Sequence, residues 1–169
     1  MLPKRAREKP CKRLQNSINA KRDALCKAAL IMLSAALEAY CEDLCKESNS
    51  HLKEHVGGLD NEDYKFIDQA IQRSHGANNS HIISLFGLIG IPWITYEKIG
   101  WQKKSSKDIR QELRSLAVAR NRVSHGANVS VSEAKVLCWR EFVFRFADKI
   151  ESITGAHLAE ITKAPPPWG

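Results

Sequence analysis

The chain has 169 residues, which is enough for one domain with a buried helical core. Its hydrophobic fraction of 43% is that of an ordinary globular protein, and its longest apolar stretch, Ile82 to Ile94, is too short to span a bilayer, which predicts a cytoplasmic protein. Lys and Arg outnumber Asp and Glu by 26 to 19, and the formal charge of +7 favours polyanionic partners and salt-sensitive binding.

The first thirteen residues are strongly basic. We interpret residues 1–13 as an N-terminal arm, which is either a solvated, partly disordered tail or a segment that holds a phosphate backbone. Residues 14–160 then form a helical domain, and residues 161–169 form a Pro-rich tail, of which Ala164 to Gly169 cannot be helical. The cations of the arm are Lys4, Arg5, Arg7, Lys9, Lys12 and Arg13.

The longest predicted helix runs from about Leu14 to about Glu54. No glycine or proline interrupts this segment, and Gly57-Gly58 is expected to end it. Apolar residues recur at steps of three and four, which predicts one buried stripe along the helix. The stripe consists of Leu25, Ala29, Leu33, Leu37, Tyr40 and Leu44.

Two shorter helices and a loop follow. Asp60 is a good N-cap for a helix that ends near Ser74, and Leu59 is placed to pack on Tyr64 as a hydrophobic staple. A very apolar helix covers about Asn79 to Leu88. The segment 91–104 is predicted to be a loop packed by its own aromatic residues, which are Trp93, Tyr96 and Trp101.

Two further helices complete the pattern. Ser105 and Asp108 resemble a capping box at the start of the fourth helix, and Ser130 with Glu133 is predicted to cap the fifth. No segment alternates with a period of two for long enough to indicate a strand, so the predicted class is all-α, with about five helices and a long first helix. The inward residues predicted for the fifth helix are Val136, Leu137, Phe142, Val143, Phe146, Ile150 and Ile153.

The cysteines indicate buried thiols rather than a metal centre. Their number is odd, no Cys-x-x-Cys occurs, and Cys41 with Cys45, one helical turn apart, offers half a metal site at most. We therefore expect neither a metal nor a cofactor. The five cysteines are Cys11, Cys26, Cys41, Cys45 and Cys138.

The residues that suggest chemistry lie at the end of the fourth helix. Arg120, Asn121 and His125 precede Gly126, which suits a left-handed C-cap, and Asn121 and His125 share a helix face. A guanidinium can bind two phosphate oxygens, and an imidazole can move a proton near neutral pH. Together they supply what metal-free cleavage of an RNA phosphodiester needs.

The same spacing also has a plain structural interpretation. Arginine and histidine fall five apart by chance in many helical proteins, and a histidine beside a C-cap glycine often only caps carbonyl groups. Residues 74–78 repeat the pentapeptide of residues 124–128, Ser-His-Gly-Ala-Asn, but only the second copy has an arginine five residues before its histidine. We take the two copies as similar helix ends.

This stretch resembles the HEPN family. The family hallmark is an arginine, a polar residue next to it, and a histidine four to six positions after the arginine, as in Arg120, Asn121 and His125. The long first helix with Leu37-Glu38-Ala39-Tyr40-Cys41-Glu42-Asp43-Leu44 and the helix after the motif also fit. The resemblance covers about residues 14–160 and is nearest to the small bacterial RiboL-PSP-HEPN and MAE-type groups.

The resemblance implies a helical bundle that forms a homodimer, with the motifs of two subunits facing each other across a cleft. Many HEPN proteins are metal-independent endoribonucleases that act as toxins, in phage defence or in RNA processing. Carried over to this chain, His125 is the general acid/base and Arg120 binds and stabilises the scissile phosphate. Asn121 orients the pair or contacts RNA, and the products carry a 2′,3′-cyclic phosphate and a 5′-hydroxyl.

Two supporting residues each have two interpretations. Arg122 is either an RNA-binding cation or a solvated surface residue. Glu38 either approaches the motif from the first helix and sets the state of the histidine, as in some family members, or is a carboxylate that faces solvent. The other histidines lack an arginine at the required spacing and receive no role; they are His51, His55, His75, His81 and His157.

Two alternatives to a nuclease stay open at this point. Some HEPN proteins are non-catalytic modules that bind RNA or nucleotides, or that pair with a nucleotidyltransferase, and a toxin would have an antitoxin partner. A purely structural helical protein would bury His125, with both ring nitrogens bonded to the main chain.

Overall fold

The computed structural model describes residues 5–56, 60–76 and 78–168, and it confirms an all-α fold of five helices with a long first helix. In the described residues an isolated bridge between Trp101 and Lys104 is the only extended pairing. The helices are α1 (Arg5–His55), α2 (Asn61–Gln72), α3 (Asn79–Gly87), α4 (Ser106–Ser124) and α5 (Glu133–Thr162).

Helix α1 is the element against which each of the other four helices packs. Its 51 residues make a rod about 76 Å long, and it begins at Arg5 rather than near Leu14. The Arg, Lys, Glu and Ala residues that precede Leu14 are strong helix formers and favour the earlier start, whereas Pro10 disfavours it. Lys12 is exposed; the side chains of residues 5–11 and 13, the Gly57-Gly58 stop and the Leu59 staple lie outside what the structure describes.

Helices α1 and α5 run side by side in the same direction. Three polar contacts join residues that are 111 positions apart each time: Arg22 with Glu133, Tyr40 with Glu151, and His51 with Thr162. The constant offset shows that the two helices keep one register along the whole length of α5. Residues of α1 before Arg22 therefore extend beyond the first turn of α5, and every described side chain from Leu14 to Arg22 is exposed there.

The buried face of α1 agrees with the predicted stripe in part: Leu37 and Leu44 are buried, and Leu33 and Tyr40 pack partly buried against the core. Leu25 is 71% exposed, whereas its neighbour Cys26 is buried. At 100° per residue the observed core face is rotated from the predicted one by about 75°. Alanine and leucine occur on several faces of this part of α1. Hydrophobic spacing alone therefore does not identify the face that packs against the core. The buried residues of α1 are Cys26, Leu30, Ser34, Leu37, Cys41, Leu44, Cys45, Ser48, Asn49 and His51.

Helix α1 is also the one helix in the described part of the chain that is long and apolar enough to cross a membrane, over Leu14–His55. Its most apolar stretch of 18 residues has a mean hydropathy of 1.5, and 28% of that stretch is buried. The segment from Ile82 to Ile94, by contrast, divides between α3 and the following loop. A large apolar part of α1 therefore lies at the surface of the protein.

Three cysteines are buried thiols, as predicted. Burial raises the pKa of Cys41 to about 12, and burial likewise raises the pKa of Cys45. Cys26 is 8% exposed. Cys138 is exposed, so the prediction was wrong for that residue, and the Cys11 side chain lies outside the described set.

The loop between α3 and α4 packs through isoleucines more than through its aromatics. Ile91, Ile94 and Ile99 are fully buried, while Tyr96 is 53% exposed. The buried isoleucines attach the loop to the core and fix the start of α4, where Ser105 and Asp108 form the predicted capping box.

Two details of α5 correct the prediction. Its N-cap is Ser132, whose hydroxyl accepts a hydrogen bond from the Lys135 amide, and not Ser130. Leu137 is 52% exposed rather than inward. After α5 the chain turns at Lys163 in the left-handed conformation, and Trp168 packs partly buried against the core beside Gly155.

The N-cap assignment is testable by a pair of identical substitutions. Ser132→Ala removes the acceptor for the first turn of α5 and is expected to lower the free energy of unfolding by about 1 kcal/mol. Ser130→Ala, two residues earlier, serves as the control and is expected to cost less. Urea unfolding followed by circular dichroism measures both, and a larger loss for Ser130→Ala would contradict the assignment.

Candidate functional site

The candidate site forms where the C-terminal end of α4 meets the middle of α1. Ile109, Leu113 and Leu116 on α4 are fully buried and fix the helix in the bundle. The helix runs to Ser124, and the His125 amide closes it by donating to the Asn121 carbonyl over 3.0 Å. Gly126 follows with a φ of +70° and open space around it, so the left-handed backbone is what requires glycine here.

Arg120 is held by two neighbours and stays partly open to solvent. One terminal nitrogen donates to the Asn121 side-chain oxygen over 3.0 Å, and the other donates to Glu38 Oε2 over 3.4 Å. The Arg120 side chain is 35% exposed. A guanidinium has five N–H donors, so these two bonds leave donors available for a phosphate.

Glu38 connects three parts of the chain. Its side chain is 16% exposed, so it does not face solvent. One carboxylate oxygen accepts from Arg120 on α4, and the other accepts from the amide of Gly76, in the connection between α2 and α3. Burying a carboxylate is costly unless it is paired, and here both oxygens have partners. Glu38 thus approaches the motif through Arg120, not through the histidine.

His125 lies at the C-cap of α4 with its side chain exposed. Its ring nitrogens make no hydrogen bond to the described residues, so the buried, main-chain-bonded histidine of a purely structural protein is not found. Five residues at 100° each separate Arg120 and His125 by about 140° around the helix. Within one subunit the guanidinium is directed to α1, and the imidazole is left to solvent.

A second histidine lies beside the same carboxylates. His75 Nδ1 is 3.8 Å from Glu42 Oε1, and one ligand atom each from Glu38, Glu42 and His75 lie within 4.8 Å of one another. A cation bound there would compete with Arg120 and with the Gly76 amide for Glu38. The sequence prediction gave His75 no role. The signals that point to it are the repeated Ser-His-Gly-Ala-Asn and the spacing of Glu38 and Glu42, one turn apart on α1.

His81 lies behind this cluster. Its Nε2 is 3.1 Å from the Ser74 hydroxyl. Burial lowers the pKa of His81, while Glu38 and Glu42 act in the opposite direction. The ring is therefore neutral at physiological pH and supports the segment that carries His75 and Gly76.

Asn121 and Arg122 lie on the other side of the end of α4. Both side chains are exposed, and both line a groove that follows the outer face of the helix. The structure thus brings together Arg120, Asn121 and Glu38 by direct contact. The side chains of His125 and Arg122 are exposed nearby and form no hydrogen bond to these three side chains among the described residues.

The comparisons with known proteins agree with this architecture. The family model described as RiboL-PSP-HEPN matches residues 8–156, which include the five predicted site residues, Glu38, Arg120, Asn121, Arg122 and His125. No curated protein and no solved structure matches the chain. Since the family model spans most of the chain, from the start of α1 into α5, the chain belongs to the RiboL-PSP-HEPN family.

Proposed function

We propose that this protein is a metal-independent endoribonuclease that acts in the cytoplasm as a toxin or anti-phage defence effector. The observation that supports the proposal is the state of the motif. Arg120 is partly exposed and held by Glu38 and Asn121, and an exposed His125 ends the same helix. A permanent cation in fixed position and an imidazole open to substrate are what phosphodiester cleavage needs.

The reaction proposed is an internal transesterification. His125 removes the proton of the 2′-hydroxyl, and the 2′-oxygen attacks the adjacent phosphorus. The bond from phosphorus to the 5′-oxygen breaks, and that oxygen takes a proton from a protonated imidazole. The products are a 2′,3′-cyclic phosphate and a 5′-hydroxyl. The reaction consumes no water and involves no redox change.

Arg120 acts on the phosphate in this scheme. Charge builds up on the phosphoryl oxygens as the 2′-oxygen attacks, and the free guanidinium donors are placed to stabilise it. Asn121 fixes the orientation of the guanidinium through its 3.0 Å hydrogen bond. Glu38 is a positioning residue, because it acts on the phosphate only through Arg120.

Within one subunit Arg120 and His125 diverge around α4, so the proposed nuclease requires a second subunit to complete its site. Surface residues of α1 suggest how the two copies meet. At the successive steps of four and three that characterise helix pairs, α1 presents exposed residues, most of them apolar or small. This α1 seam consists of Leu14, Ile18, Lys21, Leu25, Ala28, Met32, Ala35 and Ala39.

The position of the α1 seam supports self-association. It lies about 180° from the buried face of α1, and Glu38 and Glu42 lie between the two faces, next to Ala35 and Ala39. Leu25 and Met32 are each 71% exposed, and Leu14 and Ile18 lie on the part of α1 that extends beyond α5. A second copy on this seam would bring its own motif towards the first through the shared twofold axis.

The first prediction concerns catalysis. His125→Ala is expected to lower RNA cleavage by roughly 10²–10⁴-fold, which is the usual contribution of a positioned acid/base, and to leave the fold intact because the side chain is exposed. Purified protein is incubated with total RNA, and the ends of the fragments are analysed. His55→Ala, another exposed histidine, is the matched control.

Three outcomes would refute the nuclease: cleavage that persists in the pure His125→Ala protein, cleavage that requires added magnesium, or loss of cleavage on treatment with EDTA. Host toxicity gives a separate test. Expression of the wild-type chain is expected to arrest growth, and Arg120→Ala is expected to relieve the arrest. A non-catalytic RNA-binding module would bind RNA without producing fragments.

The second prediction concerns Glu38. Glu38→Gln keeps an acceptor for the Gly76 amide but removes the charge that holds Arg120, and kcat is expected to fall by up to about 100-fold through misplacement of the guanidinium. Glu47→Gln, an exposed carboxylate on the same helix, is the control. If Glu38 acts through Arg120, the double variant with Arg120→Ala is no slower than Arg120→Ala alone. Additive losses would show an independent role.

The third prediction concerns the α1 seam. Leu25→Glu and Met32→Glu place a charge in the proposed interface and are expected to shift the protein from dimer to monomer in sedimentation experiments. Phe66→Glu on α2, at a residue 70% exposed, is a control of matched exposure. A protein that is monomeric before any substitution, or a dimer that Phe66→Glu disrupts equally, would rule out the seam as the interface.

A further inference from the structure

A long open groove follows the outer face of α4, away from Glu38. Its volume is about 1220 Å³. It runs from Lys107, in the first turn of the helix, to Asn121 and Arg122 at the motif, which is about 22 Å along the helix axis. Because Asn121 both lines the groove and holds Arg120, the groove begins directly at the candidate site.

The lining of this groove is charged with one sign only. Five cations line it, and no carboxylate from the described residues does. A concave surface with cations alone concentrates the field and attracts polyanions. The five cations are Lys107, Arg110, Arg114, Arg122 and Lys135.

Three of these cations are available to a ligand. Within the described residues, Lys107, Arg114 and Arg122 form no ion pair, and all three are exposed on α4. Lys135 is different, because it pairs with Glu112 over 3.0 Å. The Arg110 guanidinium also has partners within the protein, which are the Thr95 carbonyl and the Tyr96 ring.

The guanidinium of Arg110 donates to the Thr95 carbonyl and lies 4.3 Å from the ring centre of Tyr96. Tyr96 is thereby held in place while 53% of it is exposed, which gives the groove a fixed aromatic surface. An exposed aromatic platform suits nucleobases, whereas an acidic peptide does not need one.

We propose that this groove binds the single-stranded RNA that flanks the cleavage point. The inference rests on the proposed function for the choice of RNA. Phosphates contact Lys107, Arg114 and Arg122, and a base stacks on Tyr96. A second copy of the chain does not fit this face, since a twofold interface would set the cations of one groove against those of the other.

The test measures binding separately from cleavage. A fluorescent single-stranded RNA is titrated against full-length protein that carries His125→Ala, and fluorescence anisotropy gives the Kd. Replacement of Lys107, Arg114 and Arg122 by alanine is expected to weaken binding by about 10- to 100-fold and to lower the slope of log Kd against log salt by about 2. Tyr96→Ala alone is expected to weaken binding by at least about 5-fold.

The matched control removes three exposed charges elsewhere, with Lys53→Ala, Lys65→Ala and Arg140→Ala, which lie outside the groove. An equal loss of affinity in this control would mean unspecific attraction and would overturn the proposal. So would displacement of the RNA by polyglutamate at equal charge concentration, because the groove would then prefer any acidic chain.

The failure of this inference is distinguishable from that of the proposed function. If the groove variants lose RNA binding but wild-type protein yields no fragments, the groove stands and the nuclease is refuted. If wild-type protein cleaves RNA and the groove variants keep the original Kd, the groove is refuted and the nuclease stands. Circular dichroism confirms that each variant is folded, which the exposure of the substituted side chains leads us to expect.

Discussion

The Glu38 carboxylate is the interaction on which the arrangement of the site depends. It is largely buried, and it accepts from the Arg120 guanidinium on α4 and from the Gly76 amide before α3. Burying this carboxylate without hydrogen-bond partners would be costly. Arg120 and the Gly76 amide therefore stabilise the buried position of Glu38, and Glu38 in turn fixes their positions. The pairing fixes the cation of the motif relative to α1, and α1 is itself kept in a constant register with α5 by polar contacts at Arg22, Tyr40 and His51. The position of one guanidinium is thus set by the packing of three helices.

Helix α1 meets three demands at once, which explains its composition. One face is buried in the core, the opposite face carries the apolar α1 seam, and Glu38 and Glu42 lie between them. Little of the circumference is left for ordinary polar surface in the middle of the helix. This is why α1 is apolar enough by composition to cross a membrane although it carries the core of a helical bundle. Pairing of two seams would cover the apolar surface that a single subunit leaves open.

The same composition limited what the sequence could predict. The class, the number of helices and the capping box at Ser105 follow from local rules, and these were confirmed. The face of α1 was placed wrongly at Leu25, because a helix with two apolar faces has no single periodic maximum. Ser130 and Ser132 both precede Glu133 at plausible distances, and only the fold decides between them. His75 lies beside Glu42 through tertiary contact, which the arginine-to-histidine spacing of the motif does not reveal.

The charges around the end of α4 are divided in a way that separates two kinds of contact. Carboxylates lie on the α1 side, where Glu38 partly offsets the positive charge of the Arg120 guanidinium. On the groove side, beyond Asn121, the charged lining residues are all cations. A groove of one sign repels its own copy, so the proposed self-association uses the α1 seam next to Glu38 and Glu42, in which Lys21 is the one charged residue. A polyanion, in turn, is repelled from the carboxylates and attracted into the groove. The motif lies at the boundary of the two surfaces, and there a strand bound along α4 of one subunit would meet the imidazole of either subunit without competing with the dimer contact for space.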